Sequence, residues 1–495
     1  MDKKELISNL KLGSRVAEDE RNELVKYFIN TNQCKEFLDG DIDIVFGLKG
    51  SGKSALYIHL LNKTNAYLTK NIYLIPAENV SGDVVFREIQ NDPPTSEAKF
   101  IFLWKLYLIS IVGNYLENDD KFQSGIIDIL KKENLIDKSF SLKDIFSRVA
   151  GYIKKYREID SFEVTTKFDQ FTGLFTGFSK KITFRPTTSS EEKKGYRSID
   201  SLFKILDSDL KTNHKNIWIA LDRLDVAFVD ADIEENALRA LFRVYLDLQE
   251  YENISLKLFL RTDIWNNITN KGFREASHIT RSTNIQWGNE ELLDLIVRRF
   301  YQNDSIRQFL KIDKDYDKLS YKEKEKIFYR IFPDRIELGT NKPTTFNWIL
   351  SRVKDGLGVI APREIVHLIN SIKDAEIRRL ELDFKSNKEQ SLFDRSSFVK
   401  GLDVVSATKL NQTIYAEYPK FKCYIDLLKN QHSEHTINSL SQIWKTSKNK
   451  TKIISEELHK IGIFEKRGTR ESPKYWIPFI YRPVLNSIQG SHRKI

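Results

Sequence analysis

A short apolar run near the start of the chain is followed by residues whose types and spacing suit phosphate binding. The run Ile44-Val45-Phe46 leads into the segment Gly47–Ser54, which reads Gly-Leu-Lys-Gly-Ser-Gly-Lys-Ser. Glycines let a backbone curl tightly and turn several N–H groups towards one point. A lysine supplies a point charge for phosphates, and a serine hydroxyl is an oxygen ligand for Mg²⁺. The spacing G-x-x-x-x-G-K-[ST] predicts a phosphate-binding loop of the Walker A type, with a glycine-rich turn of matching sequence as the alternative.

The elements on either side of this segment support the first interpretation. The apolar run predicts a buried parallel strand, and Ala55–Leu61 predicts a helix. A helix that begins near Lys53 would point the positive end of its dipole at the bound phosphates. We expect a bound nucleotide to contact residues of the loop and of the first turn of the helix. These residues are Gly47, Lys49, Gly50, Ser51, Gly52, Lys53, Ser54 and Ala55.

A second apolar run places an aspartate where a magnesium ligand is needed. Ile217–Leu221 predicts a strand buried on both faces, and Asp222 follows it directly. Such a strand delivers its carboxylate to the carboxyl edge of a parallel sheet, which we expect to lie beside the phosphate-binding loop. Asp222 would then hold Mg²⁺ together with Ser54. The alternative is a buried strand that ends at a helix-capping aspartate.

Two further polar positions are candidates for contacts to the terminal phosphate. Leu256–Leu260 predicts another buried strand, and Arg261 and Thr262 follow it. Pro362 is typical of a helix start, which puts Arg363 in the first turn, where a cation opposes the helix dipole. An arginine directed at a phosphate explains this position, and so does a surface salt bridge with a nearby acid.

Length and composition indicate a soluble protein of several domains. The chain has 495 residues, with 40% hydrophobic and 30% charged residues, which favours two or three domains. We predict an α/β fold: a parallel-sheet P-loop core with an inserted region, a helical lid and a C-terminal winged helix. The predicted boundaries are 1–118 with 197–300 for the core, 119–196 for the insertion, 301–434 for the lid and 435–495 for the winged helix. Inside the insertion, Phe171–Phe178 alternates as in a hairpin.

Nothing in the composition favours secretion or a membrane. The charged start, Met1-Asp2-Lys3-Lys4-Glu5, lacks the apolar core of a signal peptide. Phe100–Tyr115 comes closest to a membrane span, but Lys105 interrupts it, so we interpret it as a buried amphipathic helix. Cys34 and Cys423 are the only cysteines, which suits a reducing compartment. We expect a cytoplasmic protein with no membrane partner.

The end of the chain is basic. Residues 445–495 contain twelve Lys or Arg and four Asp or Glu, a local net charge of +8. The pattern predicts a winged helix with Thr451–Lys460 as its recognition helix and Glu465–Lys474 as its wing. The basic side chains of that wing are Lys466, Arg467, Arg470 and Lys474. DNA or RNA is one candidate partner for this segment, and a solvated basic surface or a protein contact is the alternative.

The order of these motifs resembles that of AAA+ and STAND ATPases of the origin-recognition type. The opening, from Ala17-Glu18-Asp19-Glu20 through Tyr27-Phe28 to the loop, is similar to bacterial P-loop ATPases of anti-phage defence and mobile elements. The resemblance implies ATP and Mg²⁺ as cofactors, a homo-oligomer and an effector partner. It also implies a sensor 1 role for Arg261 or Thr262 and a sensor 2 role for Arg363. Arginine-finger candidates are Arg239, Arg243 and Arg281.

One residue departs from the family pattern. Such ATPases carry a glutamate directly after the Walker B aspartate, and this chain has Arg223 there. Asp225 is the nearest carboxylate, so the expected catalytic set is Lys53, Asp222, Asp225, Arg261 and Arg363. We therefore predict an ATP-binding, slowly hydrolysing switch or motor in bacterial defence. A nucleic-acid-binding regulator with a regulatory nucleotide site is the alternative, and a small-molecule kinase is a third, less favoured one.

Overall fold

The structure is a computed structural model, and it divides the chain into two units. It describes residues 3–21, 23–77, 97–119, 122, 124–136, 182–183, 197–224, 231–382 and 391–491. The sheet unit consists of Asn32–Leu48 and Lys53–Ile285, and the helical unit consists of Met1–Thr31, Lys49–Gly52 and Gln286–Ile495. The predicted hairpin Phe171–Phe178 and the candidate carboxylate Asp225 lie outside the described residues.

A five-stranded parallel sheet organises the sheet unit, as predicted. Its strands are β1 (Ile44–Gly47), β2 (Ile72–Pro76), β5 (Asn216–Leu221), β6 (Ile254–Arg261) and β7 (Ser282–Asn284). They lie in the order β2-β5-β6-β1-β7, and two short segments, β3 (Ile182–Thr183) and β4 (Arg197–Ser198), form a separate parallel pair. All four residues of β1 are buried, as expected of a central strand covered on both faces.

The strand order sets the distance between the loop and the Walker B aspartate. Strand β6 lies between β1 and β5, so the strand that leads to Asp222 is two strand spacings, about 10 Å, from β1 rather than directly beside it. Leu221 is level with Leu258, which is level with Ile44. Strand β5 therefore ends level with Ile44, three residues before Gly47, and Asp222 directly follows its last residue.

Helices cover the sheet and form its core with it. In the described part of this unit, the α-helices are Asn32–Asp39, Lys53–Leu61, Thr64–Thr69, Glu97–Glu117, Gly125–Lys132, Ile199–Thr212, Ala231–Leu248 and Thr262–Asn270. The window Phe100–Glu117 is long and apolar enough to cross a membrane, and 83% of it is buried inside the protein. It is buried nearly all round rather than amphipathic, so the predicted burial is correct and the predicted polar face is wrong.

Lys105 shows how a buried helix accommodates a charge. Its side chain is only 8% exposed, and its ammonium pairs with Asp200 at 2.7 Å and with Asp247 at 2.6 Å. Burial lowers the pKa of Lys105, but the two carboxylates outweigh this and leave the pKa raised. The lysine that interrupts the apolar run therefore serves as a buried cross-link between helices.

The helical unit combines a helical array with a small C-terminal sheet. Its helices of seven or more residues are Asn289–Tyr301, Asp304–Leu310, Tyr321–Ile331, Thr345–Val353, Pro362–Glu381, Arg395–Thr408, Ile437–Trp444 and Lys448–Lys460. Shorter helical segments include Lys3–Ser8, Ala17–Glu20, Leu24–Tyr27, Tyr316–Lys318, Tyr415–Glu417, Lys422–Asp426 and Arg482–Leu485. A buried pair fixes the N-terminal segment, since the Arg299 guanidinium donates to Glu20 at 2.9 Å and to the Leu12 carbonyl at 2.7 Å.

The C-terminal part has the predicted winged-helix arrangement. The sheet contains β8 (His432–Thr436), β9 (Glu465–Gly468), β10 (Pro473–Trp476) and β11 (Ile488–Ser491) in the order β11-β8-β10-β9. Strands β9 and β10 form the antiparallel wing, and the helix before them begins at Lys448, three residues earlier than predicted. The sequence did not indicate β8 or β11, because a short polar strand has no apolar period.

Candidate phosphate-binding site

The segment Gly47–Ser54 forms a tight loop between a strand and a helix. Strand β1 ends at Gly47 and the helix begins at Lys53. Gly50 and Gly52 have φ of +80° and +106°, a region in which side chains with a Cβ are strained. A Cβ on Gly50 would also lie 3.0 Å from the Cβ of Arg363. The glycines are therefore required by the loop's own conformation.

Lys53 folds back over the loop that precedes it. Its Nζ donates hydrogen bonds to the carbonyl oxygens of Gly47 at 2.8 Å and Leu48 at 3.2 Å. These two carbonyls belong to the first two residues of the loop, whereas Lys53 lies near its end. The lysine side chain therefore reaches back across the loop to its beginning. The arrangement places a positive charge at the concave side of a curled backbone, as phosphate binding requires.

Ser51 contributes a buried hydroxyl to the loop. Its side chain is 6% exposed, and within the described residues its Oγ has no hydrogen-bond partner. Its carbonyl oxygen accepts a hydrogen bond of 2.8 Å from the indole Nε1 of Trp287, which also lies 3.6 Å from where a Cβ on Gly52 would be. A buried donor without a partner is unfavourable unless a ligand or water satisfies it, so this hydroxyl fits a phosphate oxygen. Trp287 is a loop-supporting residue that the sequence did not indicate.

The two candidate magnesium ligands both lie at the carboxyl edge of the sheet. Ser54 is the second residue of the helix Lys53–Leu61 and is partly exposed. Asp222 follows β5 and is 7% exposed. A serine hydroxyl and a carboxylate are oxygen ligands of the kind that Mg²⁺ prefers, so these residues fit the ion by donor type.

Arg223 has an unusual backbone conformation. Its φ is +59°, a left-handed conformation that is unfavourable by about 1–2 kcal/mol for a residue with a Cβ. The peptide therefore turns sharply directly after Asp222. An arginine with left-handed backbone therefore occupies the position at which the family pattern described above has a glutamate.

Arg261 ends the strand next to β1 and is opposite Gly47 in the register. Its Nε donates to Asp263 Oδ1 at 3.0 Å and its Nη2 donates to Oδ2 at 2.7 Å. Such a bidentate pair fixes the plane of the guanidinium. Thr262 donates to the Asn284 side chain at 3.3 Å, at the end of β7. The strand order thus places Arg261 level with the first residue of the loop, on the strand next to the Walker B strand, and its predicted contact with the terminal phosphate stays a prediction.

Arg363 packs against the middle of the loop. Its backbone N–H donates to the Gly50 carbonyl at 3.4 Å, and it lies in the first turn of the helix Pro362–Glu381. Its guanidinium forms no ion pair with any residue that the structure describes. The neighbouring Glu364 pairs instead with Lys409 at 2.6 Å. Of the two explanations for a cation at this helix start, the surface salt bridge is thus not seen in the described part of the chain.

The three arginine-finger candidates are engaged within the sheet unit. Arg281 pairs with Asp43 at 2.6 Å. Arg243 pairs with Glu97 at 3.1 Å and with Glu275 at 2.9 Å. Arg239 donates to the Ile268 carbonyl at 3.4 Å. These contacts give Arg281 and Arg243 structural roles that their sequence positions did not indicate.

Lys49 is the one cationic side chain in the loop besides Lys53, and it forms an ion pair with Glu417. The two residues are 368 positions apart, and no sequence pattern links them. Glu417 ends the short helix Tyr415–Glu417. The sequence therefore identified Lys49 as a loop residue but could not identify the acid that contacts it.

The helix that follows the loop contains a buried histidine. His59 is 5% exposed, and burial, with Lys63 as a second cause, lowers the pKa of His59 to about 4. The imidazole is therefore neutral near pH 7. Since this helix directly follows the phosphate-binding loop, protonation of His59 in acid would destabilise the helix next to the loop.

Comparison with known proteins does not name a family for this chain. No family model and no curated protein matches it. Among solved structures, the ORC2 protein of Aeropyrum pernix in its ADPNP-ADP complexes aligns over 98% of this chain and 99% of its own, with 9% identity and a TM-score of 0.30. The ADP form of the same protein aligns over 98% and 96%, with 10% identity and a TM-score of 0.33. At these TM-scores the alignments carry no argument, and the functional inference rests on the chain's own loop and strand order.

Proposed function

We propose that this protein is a P-loop ATPase that binds ATP at Gly47–Ser54 and acts as a nucleotide-dependent switch. The observation that carries the proposal is the loop itself: the Lys53 ammonium folds back onto the Gly47 and Leu48 carbonyls, and the buried Ser51 hydroxyl has no hydrogen-bond partner among the described residues. A phosphate would replace the two carbonyl contacts of Lys53 with a stronger one, because donor and acceptor would then carry opposite charges.

The same proposal assigns Mg²⁺ to Ser54 and Asp222. A bound Mg²⁺ would neutralise charge on the phosphate oxygens. Ser54 would supply its hydroxyl, and Asp222 would supply its carboxylate from the position directly after β5. Arg261 and Arg363 would act on the terminal phosphate, because one lies opposite Gly47 and the other packs against Gly50.

Turnover by this site would be slow. Orienting the attacking water needs a carboxylate after Asp222, and Arg223 occupies that position with left-handed backbone. A site that holds ATP longer than it hydrolyses it suits a conformational signal better than a fast motor. Resemblance alone supports the further proposals of a homo-oligomer, an effector partner and a role in anti-phage defence.

The experiment that tests this proposal is nucleotide binding by Lys53→Ala. We expect the full-length protein to bind a fluorescent ATP analogue with Mg²⁺, and Lys53→Ala to lose about 10- to 150-fold in affinity, because a hydrogen bond between charged groups is worth ~1.5–3 kcal/mol. Lys63→Ala, at a lysine after the same helix, is the matched control. Equal affinity of Lys53→Ala and the unsubstituted protein would refute the proposal.

Nucleic-acid binding is a second candidate function, and one observation favours it. Lys466 of the wing pairs with Glu456 at 2.6 Å and Lys474 pairs with Glu434 at 2.7 Å, so much of the wing's charge is neutralised. In contrast, four exposed lysines around the start of the helix Lys448–Lys460 form no ion pair with described residues: Lys445, Lys448, Lys450 and Lys452. Among the described residues this group, together with Arg470 of the wing, is available to contact phosphates.

Replacing three of these lysines tests the second candidate. The triple variant Lys448→Gln, Lys450→Gln and Lys452→Gln should weaken binding of the full-length protein to duplex DNA at low salt. The slope of log affinity against log salt should fall by about 3 in magnitude, roughly one for each phosphate that the variant no longer binds. Lys466→Gln is the matched control and should change the slope little. An unchanged slope in the triple variant would exclude this surface.

A further inference from the structure

The Lys49–Glu417 pair joins the phosphate-binding loop to a segment far along the chain. Both residues belong to the helical unit, in which Lys49–Gly52 clusters with Gln286–Ile495. Their side chains are 37% and 20% exposed, so the pair is partly shielded from water and partly accessible from solvent. The loop thus has a lysine whose present partner is a carboxylate of the protein.

The segment that ends at Glu417 has an unusual local structure. Lys409–Ile414 is a π-helix, which continues directly into Tyr415–Glu417. A π-helical turn is rarer and less favourable than an α-helical one and is frequent at functional sites. We therefore expect a modest change in the contacts of the segment Lys409–Glu417 to alter its backbone conformation.

A second ion pair fixes the other end of this segment. Lys409 pairs with Glu364 at 2.6 Å, and the side chains are 13% and 8% exposed. Glu364 follows Arg363, whose backbone N–H donates to Gly50 of the loop. The segment Lys409–Glu417 is thus connected to the phosphate-binding loop at both ends, directly through Lys49 and indirectly through the start of the helix Pro362–Glu381.

The surroundings of this segment contain an excess of acid. Tyr481 is fully buried, and within the described residues its hydroxyl has no hydrogen-bond partner. Burial raises the pKa of Tyr481 well above its usual value, and the carboxylates of Asp355, Glu364 and Glu417 raise it further. Burial also raises the pKa of Asp355. Removing Lys49 from Glu417 would leave these carboxylates less well compensated, which favours a rearrangement there.

We propose that nucleotide phosphates compete with Glu417 for the Lys49 ammonium, and that loss of this pair loosens Lys409–Glu417. The inference rests on the proposed function, since it assigns a regulatory partner to the same loop. Glu417 then lowers the affinity of the loop for nucleotide. The backbone conformation of the segment Lys409–Glu417 depends on whether nucleotide is bound to the loop. A triphosphate competes better than a single carboxylate, because it presents more negative charge to the same ammonium.

A double-mutant cycle tests the competition. We expect Glu417→Gln to bind Mg²⁺ with a fluorescent ATP analogue ~3- to 5-fold more tightly, since a partly exposed pair contributes up to ~1 kcal/mol. In a Lys49→Met background the same substitution should change nothing. Glu434→Gln, which removes a carboxylate paired with a wing lysine at 2.7 Å, is the matched control and should leave the affinity unchanged.

Backbone hydrogen exchange provides a measurement that needs no substitution. Exchange at residues 409–417 should become faster when the nucleotide analogue is added to the unsubstituted protein, and Glu417→Gln should show the faster rate without nucleotide. If neither the affinity nor the exchange responds while Lys53→Ala still abolishes binding, the inference is wrong and the proposed function stands. If Lys53→Ala binds nucleotide normally, the proposed function itself fails.

Discussion

The ammonium of Lys257 lies 2.7 Å from the carboxylate of Asp43, and both side chains are buried. Asp43 immediately precedes the strand that ends in the phosphate-binding loop. The same carboxylate also accepts from Arg281 at 2.6 Å and from the Tyr245 hydroxyl at 3.2 Å, while Lys257 lies 4.3 Å from the centre of the Trp218 ring. Burial lowers the pKa of Lys257, and Asp43 opposes this shift. The strand beneath the loop is therefore anchored by a buried charge cluster at its other end.

Removing the carboxylate of this cluster should destabilise the sheet unit. We expect Asp43→Ala to lower the free energy of unfolding by about 3–5 kcal/mol, because it leaves Lys257 buried without its counter-charge. Urea denaturation, monitored by circular dichroism, measures this change in the free energy of unfolding. Asp41→Ala, two residues earlier and exposed, is the matched control and should have little effect. Equal midpoints for the two variants would contradict the assigned role of Asp43.

Acid should destabilise the sheet unit through His59. Its pKa is about 4 in the folded protein and about 6.5 in the unfolded chain, so between these values the unfolded chain binds more protons. The stability that the neutral His59 contributes is therefore present above pH 6.5, and it is lost as the pH decreases towards 4. At pH 5 the loss relative to pH 7 should be about 2 kcal/mol. His59→Gln should reduce this dependence, and denaturation at pH 7 and pH 5 compares the two proteins. An identical pH dependence would contradict the prediction.

Gly50→Ala should weaken nucleotide binding and also lower the stability of the protein. The residue has φ of +80°, and an added Cβ would lie 3.0 Å from Arg363 Cβ and 3.4 Å from Ala361 Cβ. We expect a loss of about 1–2 kcal/mol in stability from the backbone strain and at least ~10-fold weaker ATP binding. Gly125→Ala is the control, since a Cβ there would meet nothing within 4 Å. Thermal denaturation and nucleotide titration measure both effects, and a variant with normal binding would show that the loop tolerates a different curvature.

Arg363→Gln should separate ATP binding from ADP binding. Its guanidinium has no ion-pair partner among the described residues, so its loss should leave the melting temperature nearly unchanged. If it contacts the terminal phosphate, the affinity for ATP should fall about 10-fold and that for ADP should change little. Arg378→Gln, at an exposed position of the same helix, is the matched control. Equal losses for ATP and ADP would assign Arg363 to a different phosphate.

The sequence by itself determined the local parts of this protein. The strand-loop-helix around Gly47–Ser54, the strand that precedes Asp222 and the hairpin before Trp476 are all present as predicted. Each is encoded within a short window, where apolar periodicity and the need for glycine at positive φ decide the conformation. The same local logic predicted Pro362 as a helix start.

Tertiary structure alone decided which distant residues meet. The place of β6 between β1 and β5, the contact of Trp287 with Ser51 and the pairing of Lys49 with Glu417 depend on packing between segments that are far apart in the chain. A charged residue carries no local signal of its partner, because a lysine suits a solvated surface, a carboxylate or a phosphate equally well. For Arg363 the fold shows that the neighbouring acid Glu364 pairs with Lys409, and Arg363 has no ion pair with the residues that the structure describes.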